Sequence, residues 1–129
     1  MEKFDLCKCE VCGNIVEALV VGDGVLVCCG QDMIVLQSNN EESFKMTHVP
    51  VVKEADGVRF VQVGEALHIM NNEHQIMFVE IISKDKMCKR TKFFNPGDEA
   101  KMSVCAKFDE ANFDIREYCN IHRLWQKEG

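Results

Sequence analysis

Residues 9–13 read Cys9-Glu10-Val11-Cys12-Gly13, and residues 27–30 read Val27-Cys28-Cys29-Gly30. The first is a CxxC knuckle whose glycine lets backbone amides approach thiolate sulfur. The second brings two more thiols after fifteen intervening residues, Cys12-x15-Cys28-Cys29. Ile15 to Val21 is expected as a short strand, Gly22-Asp23-Gly24 as a turn and Val25 to Val27 as the return strand, a hairpin carrying Cys28 and Cys29 back to the knuckle. So few residues bury too little apolar surface to hold themselves folded, and a metal is the usual substitute. Four thiolates suit tetrahedral zinc or a single iron. Adjacent cysteines as two ligands depart from a zinc ribbon, so a structural zinc staple competes with an electron-carrying iron. Cys7 is a rival ligand of the knuckle.

Outward from this module the chain changes character. Gln37-Ser38-Asn39-Asn40-Glu41-Glu42-Ser43 is polar, and the boundaries fall at 1–37 for a small metal-binding domain, 38–46 for a linker and 47–129 for a larger domain. The larger part reads as β throughout. His48 opens a strand, Val58 to Val63 alternates after an Asp56-Gly57 turn, and Gln75 to Ser83 is the longest strand. Met87 to Phe94, Lys101 to Phe108 and Phe113 to Tyr118 follow, with turn signals between them. An all-β chain with a β-sandwich is the fold class expected. Cys88 and Cys105 lie in those strands and are expected as buried core thiols. Tyr118 and Trp125 are expected as packing or near-site aromatics, and the seven methionines as core filler.

Composition narrows the functions. The 129 residues carry a formal charge of −6, which argues against nucleic-acid binding. No apolar run approaches the roughly 20 residues of a membrane span, and no basic start precedes an apolar segment. A cytoplasmic, reducing setting is therefore expected. In that setting eight clustered and scattered cysteines favour metal over disulfides.

The second constellation uses every histidine. His68 and His74 flank the polar turn Asn71-Asn72-Glu73, Cys119-Asn120-Ile121-His122 is a CxxH pair, and His48 follows the linker. Imidazole suits iron, copper, nickel and zinc, and one thiolate among nitrogens mainly changes the electronics of a redox metal. Four imidazoles and one thiolate leave an octahedral metal one open position, which marks a reaction site rather than a closed structural one.

These residues resemble desulfoferrodoxin, the two-domain, two-iron superoxide reductase, over essentially the whole chain. The resemblance rests on Cys9 to Glu17, Val27 to Gly30, His48-Val49-Pro50-Val51, Phe94-Asn95-Pro96-Gly97 and Arg116 to His122. It implies a desulforedoxin-like iron on Cys9, Cys12, Cys28 and Cys29. It implies a catalytic iron with His48, His68, His74 and His122 equatorial and Cys119 axial, in an immunoglobulin-like β-sandwich, and a homodimer. The implied reaction is one-electron reduction of superoxide to hydrogen peroxide, with an external donor such as rubredoxin. The family usually carries a Glu-Lys pair just before the first histidine ligand. Met46 and Thr47 stand there, which leaves Lys45 as the candidate stand-in for attracting superoxide. Competing readings are a non-catalytic iron electron carrier and a zinc-stapled metal-binding module.

Overall fold

A computed structural model of the chain describes residues 1–127. It divides into two compact units, Met1–Gln37 and a larger one beginning at Ser38. Among the described residues no helix is long and apolar enough to cross a membrane.

The small unit is built on β1 (Leu6–Lys8), which pairs antiparallel with β2 (Ile15–Glu17) on one side and with β5 (Ile34–Val35) on the other. Leu6, Phe4, Ala18 and Leu36 are buried together with Cys7 and Cys9. A separate two-stranded ribbon joins β3 (Val27–Cys28) to β4 (Gln31–Asp32). The hairpin expected from the glycine turn does not form. β2 pairs with β1 instead, and Val20, Val21 and Val25 stay exposed, so the alternation around them has no face to bury.

The larger unit is a sandwich of two antiparallel sheets. One holds β6 (Pro50–Ala55), β7 (Val58–Val63) and β10 (Lys101–Val104) in the order β10-β7-β6. The other holds β8 (Ile76–Ser83), β9 (Lys89–Phe93), β11 (Phe113–Cys119) and β12 (Arg123–Gln126) in the order β12-β11-β8-β9. The seven strands divide four and three, as in immunoglobulin-like sandwiches. Val61, Val63 and Met102 from one sheet meet Val79, Ile81 and Ile115 from the other, the period-two alternation placing each inside. Met46 and Met87, in contrast, are exposed rather than core filler.

Three boundaries differ from the sequence reading, each with a local cause. Residues 42–48, expected as linker and strand start, form a 3-10 turn at Glu42–Phe44 and a short helix α1 at Lys45–His48. Pro50 then starts the strand, having no N–H to extend a helix. β10 stops at Val104 and β9 starts at Lys89, leaving Cys105 and Cys88 exposed in turns rather than buried in strands.

Candidate metal centres

The knuckle closes through the backbone. Gly13 N–H donates to Cys9 O at 2.9 Å, Cys9 N–H to Asn14 O at 2.9 Å, and Cys12 N–H to the Cys9 sulfur at 3.5 Å. Opposite it, Cys29 and Gly30 have φ of 53° and 75° between the paired Cys28 and Gln31. Two successive positive φ values make the tight primed hairpin turn. That turn answers the difficulty of adjacent ligands, because it swings consecutive side chains toward one point. The Cys12 and Cys28 sulfurs lie 3.6 Å apart, and those of Cys28 and Cys29 3.9 Å. A tetrahedral site with metal–sulfur bonds of ~2.3 Å has edges of ~3.8 Å. All four sulfurs lie within 4.8 Å of one another. The amides at Cys12 and Val11 lower the Cys9 thiol to about 6, while hydrogen bonds with the neighbouring thiols push Cys29 up to about 12. Four sulfurs this close are fully deprotonated only around a cation, so the donor set fits a thiolate-loving metal. Cys7 stays on β1 in the buried core, outside the group.

The second cluster collects ligand candidates from four places. His48 ends α1, His68 and His74 lie between β7 and β8, Cys119 ends β11, and His122 sits in the turn before β12. The four imidazoles form a closed ring. Neighbouring pairs have centroids 4.5 Å (His48–His68), 4.6 Å (His68–His74), 5.1 Å (His74–His122) and 4.7 Å (His48–His122) apart, all edge-to-face. The diagonal pair His48–His74 is 6.1 Å apart and near parallel at 25°. His48 Nε2 lies 3.0 Å from His68 Nε2 and 3.1 Å from His122 Nδ1. Metal–nitrogen bonds of ~2.1 Å put adjacent nitrogens of a square at ~3.0 Å. Cys119 Sγ is 3.6 Å from His68 Nε2 and 4.0 Å from His122 Nδ1. His48, His74, Cys119 and His122 form the tightest group, and His68 adjoins it.

Protonation states show what this ring can accept. His48 Nδ1 faces Phe44 O at 2.9 Å, and His68 Nδ1 faces Ile69 O. Each Nδ1 therefore donates its hydrogen to a carbonyl, leaving the lone pair of each Nε2 free to bind a cation. His74 Nε2 is buried without a hydrogen-bond partner. Burial lowers His48 and His68 to about 4, so both are neutral and ready to ligate at ordinary pH. Burial pushes the Cys119 thiol up, opposed by the amides of His122 and Ile121. His122 N–H lies 3.4 Å from that sulfur. The donor set thus fits a transition metal with mixed nitrogen and thiolate ligands.

Surrounding residues hold the ring in register. Asn120 accepts from Gln75 N–H at 2.9 Å and donates to Glu73 O at 3.0 Å, locking the CxxH turn to the His74 segment. Asn71 accepts from His74 N–H at 2.8 Å. The His122 carbonyl accepts from Asn39 at 3.1 Å and from the buried Trp125 indole at 3.0 Å. Trp125 also stands 5.0 Å from the His48 ring, and Tyr118 packs by stacking on Phe78. A β-bulge separates Tyr118↔Phe78 from Cys119↔Ile76, re-aiming the last side chain of β11.

Gly64 escaped the sequence reading. Its φ is +82°, and a Cβ there would sit 2.6 Å from Thr47 C and from Ala66 O. Gly64 N–H bonds Val49 O at 3.1 Å, so this glycine lets β7 exit directly against the backbone carrying His48. The available signal was Val63-Gly64, a glycine ending an apolar strand. Lys45, by contrast, is ion-paired with Glu42 at 3.0 Å and lines a cavity with Met46, Pro50 and Glu65 that none of the five ligand candidates lines.

Comparisons with known proteins agree with both centres. The family model of desulfoferrodoxin matches residues 39–128, and that of the desulfoferrodoxin N-terminal domain matches residues 1–36. The desulfoferrodoxin of Desulfarculus baarsii is 43% identical over 128 residues, 99% of this chain and 98% of its own. That of Syntrophotalea carbinolica is 41% identical over 128 residues with the same coverage. The superoxide reductase of Treponema pallidum shares the fold with a TM-score of 0.68 at 17% identity, over 96% of this chain and 97% of that one. Matched along both units, the chain belongs to the desulfoferrodoxin family.

Proposed function

We propose that this chain is a superoxide reductase with two iron centres, one on Cys9, Cys12, Cys28 and Cys29 and the catalytic one on His48, His68, His74, His122 and Cys119. Superoxide takes one electron and two protons and leaves as hydrogen peroxide, with no oxygen released. The observation that carries this reading is the edge-to-face ring of four imidazoles with one thiol beside it, five donors that would hold iron and leave it a coordination position for substrate. Iron held by these residues would supply the electron and positive charge for the anionic substrate. The residues supply the rest. The Phe44 and Ile69 carbonyls fix the tautomers of His48 and His68. The His122 amide, donating to the Cys119 sulfur, moderates how strongly that thiolate pushes electron density.

Substrate capture is where this chain differs from its family. Met46 is exposed, and the Thr47 hydroxyl contacts Phe44 O and His48 Nδ1, so neither brings a cation to the site. With Lys45 engaged by Glu42, capture is expected to be slower than in relatives with a lysine before the first ligand, and Lys45→Ala to change it little. Electrons come from an external donor, of which a small iron protein such as rubredoxin is the proposed type. Exposed Met46, Leu67, Ile69 and Ile121, each within two residues of a ligand, offer it an apolar rim. The complete catalytic set lies in the larger unit, so turnover is expected without the first iron. The small unit exposes Leu19, Val20, Val25 and Val27, which supports a homodimer.

The test is superoxide consumption by the reduced, iron-loaded chain, with oxygen followed on an electrode. Loss of superoxide with peroxide and no oxygen supports the reading. Oxygen release would indicate dismutation, and no consumption would leave an electron carrier.

A further inference from the structure

Cys88 and Cys105 belong to neither metal centre, and both are free, exposed thiols. Together with Ile81, Val104, Phe108 and Phe113 they line one groove of about 290 Å³ at an open edge of the sandwich. That edge is where β9, the last strand of one sheet, faces β10, the last strand of the other.

Two contacts set the register across it. Lys92 Nζ donates to Lys101 O at 3.0 Å, and Arg90 donates to Ser103 O at 2.8 Å. Thr91 and Lys89 reach Glu80 on the opposite face of their sheet, so Lys92, Arg90 and Cys88 share the face turned toward β10. Each step of two back along β9 matches a step of two forward along β10. Continued one step past both strand ends, the same offset brings Cys88 and Cys105 to one level of this edge, where both line the groove.

Both thiols sit one residue beyond the last ladder rung, Ile82↔Lys89 on one side and Val104↔Arg59 on the other. Their turns are anchored by their own backbones: Cys88 N–H donates to Ser83 Oγ at 3.0 Å, and Phe108 N–H to Cys105 O at 3.0 Å. A disulfide needs Cα atoms about 4.4–6.8 Å apart. Neither residue is part of a ladder rung, so closing to that spacing requires none to break.

We propose that Cys88 and Cys105 are a peroxide-oxidised pair that closes into an intramolecular disulfide across the sandwich edge. One thiolate attacks a peroxide oxygen, the O–O bond breaks, and a sulfenic acid and water form. The second thiol attacks that sulfur, the S–O bond breaks, and a second water leaves as the S–S bond forms. Two thiols lose two electrons and hydrogen peroxide gains them. Any source of peroxide suffices, so the pair stands whether or not the chain itself produces peroxide.

The test treats the iron-loaded full chain with a few equivalents of hydrogen peroxide, alkylates remaining thiols and maps tryptic peptides. The expected result is loss of alkylation at both positions, with Met87–Lys89 joined to Met102–Lys107 at a mass two hydrogens below their sum, in a chain that runs as before on a non-reducing gel. Reductant restores alkylation, and Cys88→Ser or Cys105→Ser abolishes the joined peptide. Full alkylation of both thiols after peroxide would overturn the proposal. So would separate sulfinic acids, or a disulfide found only between chains.

Discussion

Replacing Gly64 with alanine places a methyl group where the structure has none to spare. Two costs are separable. The positive φ of +82° costs an L-residue about 1–2 kcal/mol. The new Cβ would also meet Thr47 C at 2.6 Å, Thr47 Cα at 2.7 Å and Ala66 O at 2.6 Å, all backbone atoms. Relieving such overpacking costs about 1–3 kcal/mol more. Gly57 provides the control, since its φ is +77° but its Cβ would meet nothing within 4 Å. Gly57→Ala is therefore expected to lose only the conformational part. The total for Gly64→Ala is about 2–5 kcal/mol, and in a unit of this size each kcal/mol lowers Tm by about 4–8 °C. Because Thr47 precedes His48, the shifted backbone also displaces a ligand, and metal affinity at the histidine site falls while the four-cysteine site is untouched. Thermal unfolding and site-resolved optical titration read both effects. If Gly64→Ala melts and binds metal like Gly57→Ala, the close approach does not position His48.

Other expectations follow from the same geometry. Asn120→Ala removes two hydrogen bonds joining the CxxH turn to the His74 segment, and is expected to weaken metal binding at the histidine site about 10–100-fold in a competition titration. The metal-free protein should lose stability on mild acidification. His48 and His68 titrate near 4 when folded but near 6.5 when unfolded, so the unfolded chain holds extra protons throughout that window. The stability contributed by these two histidines is fully present above pH 6.5 and is lost progressively toward pH 4, on the order of 3 kcal/mol for one such shift, measurable as a falling denaturation midpoint. Arg116→Met takes from buried Glu80 the guanidinium bonded to it at 2.7 and 2.8 Å, while Lys89 and Thr91 keep their contacts with the carboxylate. About 3 kcal/mol of stability is expected to go, read in urea denaturation.

What the sequence made legible is what short-range chemistry dictates. The cysteine knuckle and the Cys119-x-x-His122 turn are local, so spacing marked them as candidate ligands. His68 and His74 were placed together by the polar turn between them. Tertiary choices were harder. The glycine-rich turn at residues 22–24 promised a hairpin, but β2 found a better partner in Leu6 and Cys7, whose three-residue strand is too short to show a period. Cys88 and Cys105 looked like core because their neighbours alternate. Strand ends are set by where rungs stop, and the last rungs fall one residue short of each. His48 looked like a strand start, yet Lys45–His48 is one turn of helix that presents its ring to the site.

The central claim is that the chain holds two chemically distinct iron centres, one of four thiolates and one of four imidazoles with a single thiolate. Optical spectra of the iron-loaded chain beside Cys12→Ser and Cys119→Ser test it most directly. Cys119→Ser should remove one set of thiolate-to-ferric bands and leave the bands of the four-thiolate centre intact, and Cys12→Ser should do the reverse. A Cys119→Ser protein that keeps two irons and an unchanged spectrum would contradict the claim.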